Sequence, residues 1–342
     1  TYKQPVRLEL LSSNVHFHEV NVPEYPLFHY QPYELALSSK LINVIRNHRI
    51  DLLHVHYAIP HAYAGYMAKK MLQSEGITIP MVTTLHGTDI TLVGNHPFYK
   101  PAVTFSINNS DVITCVSESL KQDTLRHFEV TKDIDVVHNF IDTNVSEKVF
   151  TDCQRDLMAE PDEKIITHIS NLRPVKRLND VVSVFYKIQQ SIKAKLIIVG
   201  EGPEREAAEQ LIKEYNISNN VIFVGQSNEI DKILCFSDLF LLPSEAESFG
   251  LAALEAMVDG VPVISSNAGG LPEVNIHGES GFLSDVGDID DMAANALKIF
   301  KDEKTLKEFK ERAKKVAKSF DINTIVPKYE SLYQKAIDNI FA

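Results

Sequence analysis

Short, almost wholly apolar runs, each followed by a glycine or polar turn and then by apolar residues at helical spacing, recur along most of this chain. No other feature constrains the fold as much. Runs this short and this apolar must be buried on both faces, which a parallel sheet covered by helices provides. Strands are predicted over residues 15–20, 50–55, 80–85, 111–116 and 135–137, with helices over 35–46 and 63–72. After Asp142 the chain turns polar, mixed in charge and weakly periodic to residue 162, as a linker does. A second set then begins: strands over 164–170, 194–199, 221–224, 239–242 and 261–265, helices over 178–188, 204–215, 228–235 and 250–257. Helices over 288–299, 306–319 and 325–337 close the chain, the last after a break at 320–324. Strands alternating with helices at this pitch give right-handed βαβ units, hence an α/β chain of two doubly wound, Rossmann-like domains facing a crevice.

The composition excludes several classes. With 342 residues, 44% of them hydrophobic and 23% charged, the chain can bury two full cores and is not disordered. A formal charge of -12 argues against a nucleic-acid partner or stable membrane association, since both want a basic footprint. A small anion remains possible, because local cations and backbone amides can hold a phosphate in an acidic protein. Cys115, Cys153 and Cys235 are an odd count without metal-like spacing and read as free thiols in a reducing compartment. No apolar run reaches the roughly 20 residues of a membrane span and no signal peptide is visible, so a cytoplasmic protein is expected.

In such folds chemistry belongs at the carboxyl ends of the strands. After the strand at 239–242 come two carboxylates, Glu247 in a loop and Glu255 inside the next helix, with Gly250 between them where that helix starts. A glycine there lets backbone amides approach an anion at the positive end of the helix. Glu247 could accept sugar hydroxyls and Glu255 a ribose diol; equally, Glu247 could cap the helix and Glu255 face solvent. Gly269–Gly270 and Gly200–Gly202 mark two more glycine loops on the same expected rim. Arg173, Lys176 and Arg177 follow the first strand of this half, positioned either to clamp a diphosphate or to form a surface ion-pair cluster. No GxGxxG opens a βαβ unit and no GxxxxGK[ST] occurs, so dinucleotide and ATPase readings lose ground.

In the first half, His54, His56, Tyr57 and His61 gather at the end of one predicted strand and His86 and Thr88 at the end of the next. Alternation places His54 and His56 on one side of the strand. Neither HExxH nor a cysteine-containing zinc pattern is present, so no metal is expected. A histidine beside glycine and threonine suits recognition of a hydroxylated or carboxylated substrate, with His86 bonding a sugar hydroxyl or a departing phosphate. Asn139 and Asp142 fall in a turn that they could simply cap.

Taken together, these motifs resemble family 4 of the retaining nucleotide-sugar glycosyltransferases, which have the GT-B fold. The stretch from Glu247 to Glu255 resembles its E-x7-E signature, residues 265–273 its GG.PE loop, and residues 237–244 the run before E-x7-E. Residues 54–61, 83–91, 138–142 and 169–177 narrow the resemblance to members that join N-acetylglucosamine from UDP-N-acetylglucosamine to the hydroxyl of L-malate, the first step of bacillithiol biosynthesis. The resemblance implies that Lys176 contacts the donor diphosphate, that Glu255 binds ribose and that Glu247 touches the transferred sugar. It implies that Phe249, Gly250 and Leu251 present amides to the donor, with Asn171 and Gly202 beside them, and that His86 is the active-site histidine. The family arginine five residues before the lysine falls on Asn171 here, which leaves Arg173 to supply that charge. Tyr57 and Thr88 stand where related inositol-using members bind the acceptor's phosphate; with His61 they are the expected acceptor residues.

Under this resemblance residues 1–142, completed by 321–342, form the acceptor-side domain, 143–163 the linker and 164–320 the nucleotide-sugar domain. The donor is a substrate, no cofactor is expected, and a homodimer is a family-level expectation. Family members begin with a strand and a glycine-rich loop. Nothing in residues 1–30 matches it and residues 1–7 look like the segment after the second strand, so a first βαβ unit is expected to be missing. Two other readings are a family 4 enzyme with a lipid or polysaccharide acceptor, and a non-catalytic sugar-nucleotide-binding protein. Residues 47–49 and Lys69–Lys70 are too sparse a basic surface to favour the lipid reading.

Overall fold

The computed structural model describes residues 14–24, 29–143, 153 and 155–341. The chain divides into two compact units, residues 1–137 with 328–342 and residues 138–327. Residues 1–13, on which the reading of a missing first unit partly rests, and most of the predicted linker lie outside the described residues.

In the first unit the order is α1 (Tyr33–His48), β1 (Leu53–His56), α2 (Tyr63–Gln73), β2 (Met81–Leu85), α3 (Lys100–Asn108), β3 (Val112–Cys115), α4 (Glu118–His127) and β4 (Ile134–Val136). The strands pair in parallel as β1-β2-β3-β4, each new strand added on the same side. Strand β2 shows why its sequence is apolar throughout. Met81 packs with Ile45 and Leu72 of α1 and α2, while Val82 turns to Val112 and to Ala336 of α12 (Ile322–Phe341). Ser117 caps α4, its hydroxyl accepting the Leu120 N–H at 3.1 Å. The strand expected over 15–20 is absent: these residues run without regular structure, with Val15 and Phe17 exposed.

The second unit holds β5 (Lys164–Ile169), α5 (Leu178–Gln189), β6 (Ala194–Val199), α6 (Arg205–Glu214), β7 (Val221–Gly225), α7 (Ile230–Leu234) and β8 (Leu239–Leu242). It continues with α8 (Leu251–Val258), β9 (Val263–Ser266), α9 (Leu271–Val274), β10 (Gly281–Ser284), α10 (Ile289–Ile299) and α11 (Glu303–Ala317). The strands lie in the order β10-β9-β8-β5-β6-β7, all parallel. From β5 the chain winds one way through β6 and β7, then returns to lay β8 on the opposite side of β5. The sheet therefore has its topological switch point between β5 and β8, where the loops leaving adjacent strands diverge. Phe185 on α5 is fully buried in a core shared with Ile166, Leu196 and Leu241.

Two details correct the sequence reading. Cys153 and Cys235 are joined in a disulfide with Cα atoms 6.0 Å apart, and Cys115, outside that bridge, is buried with its thiol donating to the Ser117 carbonyl. A separation of 82 residues hides the pairing from any spacing rule. The predicted break at 320–324 is shorter than expected: α12 starts at Ile322 and contains Pro327, the last residue of the second unit. Among the described residues no helix is long and apolar enough to cross a membrane.

Candidate active site

At the switch point, the loop after β5 begins Ser170-Asn171-Leu172-Arg173 and closes in a single 3-10 turn, Pro174–Lys176. The loop after β8 carries Ser244 and Glu247. The two meet: Lys176 Nζ donates to Glu247 Oε1 at 2.5 Å, Ser244 Oγ donates to the same oxygen at 2.9 Å, and the Glu245 N–H reaches the Val175 carbonyl at 2.8 Å. The lysine and glutamate side chains are 19% and 14% exposed, shielded enough to strengthen their charges yet still reachable by a ligand.

The glycine loops assemble on the same rim. A Cβ at Gly202 would run into the carbonyl oxygens of Asn171 and Leu172, so only glycine lets this loop lie against the cationic one. Gly250 has φ +103° and precedes the first residue of α8; a side chain there would be strained and would meet Leu271. The Gly270 N–H donates to the Glu247 carbonyl at 2.8 Å, lacing the third loop to the second. The geometry thus brings together Asn171, Lys176, Gly202 and Glu247, with Gly250 opening the helix that follows.

The three cations separate. Arg177 turns to Asp180 at 2.6 Å, Lys176 is held by Glu247, and Arg173 is exposed without an ion pair among the described residues. Phe249 offers only its backbone, because its ring is fully buried 5.8 Å from His138 and 5.6 Å from Phe320. Leu251 is exposed at the first turn of α8, and Glu255 is half-buried further along it. At the end of α8, burial first and then Asp231 and Glu255 push the Asp259 carboxyl up to about 7, with Lys314 opposing. The folded protein therefore holds a proton that the unfolded chain releases above the ordinary value, and stability is lost as pH rises toward 7. Asp259→Asn should raise stability by about 1–2 kcal/mol at pH 8, after allowance for solvent, and by less at pH 5. Urea midpoints at the two pH values check this; an equal shift at both would contradict it.

In the first unit the loops after β1 and β2 carry the second cluster. Tyr57 has φ +75°, a left-handed conformation uncommon for a bulky residue and of the kind found at functional sites. Its ring lies 4.9 Å from that of His86 and 6.0 Å from that of His61. His61 Nδ1 donates to the His56 carbonyl at 2.7 Å, and His56 Nδ1 and His86 Nε2 share a hydrogen bond of 2.8 Å. Behind them His54 bonds Tyr333 Oη and Thr84 Oγ1, both at 2.7 Å. Burial lowers the His54 and His86 pKa to about 4 and lowers His56 as well, so these imidazoles are neutral at pH 7. Tyr57, His61 and His86 thus form one cluster, with Thr88 exposed beside it.

Sequence reasoning missed what holds this cluster. Asp89 is 3% exposed. Its carboxylate accepts the N–H groups of Ala58 at 2.8 Å, His86 at 3.2 Å and Gly87 at 3.0 Å, tying the loop after β1 to the loop after β2. Burial pushes its pKa up against the pull of those amides. An acidic residue inside a short histidine- and glycine-containing loop was the available signal. Ser244, the second donor to Glu247, ends the run 237–244 that precedes E-x7-E, but nothing in that run marks it as a partner of the glutamate.

Comparison with known proteins extends these observations. A family profile described as "Glycosyltransferase Family 4" matches residues 2–145, and one described as "Glycosyl transferases group 1" matches residues 151–316. The chain is 45% identical over 331 residues to the N-acetyl-alpha-D-glucosaminyl L-malate synthase of Bacillus anthracis, covering 96% of this chain and 86% of that protein. Among solved structures it is similar to Anabaena HepE in complex with UDP, with a TM-score of 0.75, 21% identity, and 87% and 82% of the two chains covered. It is also similar to sucrose-phosphate synthase from Thermosynechococcus elongatus, with a TM-score of 0.73, 20% identity, and 92% and 82% covered.

Proposed function

Because the chain belongs to the family 4 glycosyltransferases and has their GT-B fold, we propose that it transfers N-acetylglucosamine from UDP-N-acetylglucosamine to the hydroxyl of L-malate, with retention at the anomeric carbon. The observation that carries the transferase reading is the meeting of Lys176 with Glu247 at the switch point, on a rim built of glycine loops. The B. anthracis malate synthase, similar over nearly the whole chain, supports the substrate pair.

In this reading Lys176, Arg173 and the backbone of Phe249, Gly250 and Leu251 face the diphosphate. Glu247 takes hydroxyls of the sugar, and Glu255 takes the ribose diol. The malate hydroxyl attacks the anomeric carbon from the side on which UDP leaves. The carbon–oxygen bond to the β-phosphate breaks, and a β-phosphate oxygen takes the malate proton. Neither Glu247 nor Glu255 acts as a nucleophile. The cations stabilise charge that grows on the leaving diphosphate, so they act more strongly on the transition state than on the bound donor. His86, neutral at pH 7, serves as a hydrogen-bonding partner rather than a cation.

Incubation with UDP-N-acetylglucosamine and a panel of 2-hydroxy acids tests the reading. UDP release with a product mass of the malate conjugate is expected only with L-malate; transfer stimulated by lipid vesicles with malate inert would overturn the acceptor, and no turnover would overturn the enzyme. The acceptor residues allow a sharper check. Tyr57→Phe and Thr88→Val should each raise the malate KM roughly tenfold, the effect of one lost hydrogen bond to a charged group, about 1.4 kcal/mol. The donor KM should barely move. Equal effects on both substrates would place the acceptor elsewhere.

A further inference from the structure

His168, on β5, is fully buried and takes no part in the chemistry described above. Its hydrogen bonds run in one direction only. Leu241 on β8 offers a carbonyl oxygen 2.9 Å from Nδ1, and a carbonyl can only accept, so Nδ1 carries the proton. Nε2 is then bare and accepts the Ser170 hydroxyl at 2.8 Å. With its proton committed, Ser170 Oγ uses a lone pair to accept the Leu172 N–H at 3.1 Å. Leu172 is the residue that this bond constrains: it has φ +38°, a left-handed conformation disfavoured for a leucine. Its side chain is fully buried and its carbonyl accepts the Glu204 N–H at 3.0 Å. From that fixed turn the chain continues to Arg173, whose carbonyl accepts the Lys176 N–H at 2.8 Å.

We propose that His168 is a positioning residue for transfer: through Ser170 and Leu172 it sets the turn that aims Arg173 and Lys176, while its Nδ1–H to Leu241 holds the tautomer in which Nε2 accepts. The role rests on the reading that Lys176 meets the donor diphosphate.

Two isosteres divide the ring's functions. Glutamine places an amide at the position of Nε2 and keeps an acceptor for Ser170; asparagine places one at Nδ1 and keeps only the donor to Leu241. His168→Gln is expected to retain kcat within about threefold, whereas His168→Asn and Ser170→Ala each lower it about tenfold with donor KM changed less than threefold. The double variant His168→Asn/Ser170→Ala should be no worse than either single one, because both break the same link. Equal turnover in the glutamine and asparagine variants, or wild-type turnover in Ser170→Ala, overturns the proposal. Ser170 is only half-buried, so its alanine variant decides the matter even if the His168 variants fail to fold. Lys176→Ala serves as the reference: wild-type turnover there sinks the diphosphate reading, while a loss there without a loss in Ser170→Ala sinks only the role of His168.

Discussion

Lys176→Ala should lower kcat by about 10²- to 10³-fold while weakening UDP binding by less than about tenfold. In the free protein the ammonium is already matched by Glu247 and so gains little from a ground-state diphosphate. Its contribution grows as the glycosidic bond breaks and negative charge accumulates on UDP, in a half-buried site where water screens little. Part of the measured loss will come from Glu247, left with Ser244 as its donor. The double variant Lys176→Ala/Glu247→Gln removes that stranded carboxylate and separates the two terms. Single-turnover kinetics beside UDP titration give the comparison, and unchanged turnover would remove Lys176 from the mechanism.

Asp89→Ala should be the most damaging change in the first unit. It strands three backbone N–H groups, those of Ala58, His86 and Gly87, where the carboxylate was buried. Each unsatisfied donor costs about 1–3 kcal/mol, so a loss of roughly 3 kcal/mol or more is expected. For a unit of this size that lowers Tm by about 10 °C. Transfer should also collapse, because Tyr57 and His86 sit on the two loops that Asp89 joins. Asp89→Asn keeps a carbonyl oxygen for part of the set and should recover part of both. Thermal unfolding and kcat/KM measured on the two variants check this; a wild-type Tm for Asp89→Ala would show that the loops are held by something else.

The second unit was largely legible in its sequence because its elements are long, apolar and regularly punctuated. The strands over 194–199 and 239–242 are found at those residues, and the glycine loops meet where strand ends were expected. Strand β10 escaped notice because Gly281-Phe282-Leu283-Ser284 is short and begins with glycine, which its packing against the Val263 backbone demands. Helix α4 was missed for the opposite reason: Glu118–His127 is mostly polar and buries only Leu120 and Thr124, so its apolar spacing is faint. Of the site, the residues that would touch ligand carried recognisable spacing. Those that hold them did not. Asp89 and His168 work through backbone groups brought near by tertiary structure, and no period in the sequence encodes such partners.

The neutral histidines of the first unit bear on how an anionic acceptor would be received there. Burial and mutual proximity leave His54, His56 and His86 uncharged at pH 7, so the cluster offers a dicarboxylate dipoles rather than a counter-ion. A bound dianion would pull those depressed pKa values back upward, since each carboxylate favours the imidazolium beside it. Acceptor and proton would then arrive as a pair. By linkage, acceptor affinity increases on mild acidification, whereas the depressed histidines make the fold itself less stable as pH falls from about 6.5 toward 4. The acidic limit of activity would mark where the second effect overtakes the first.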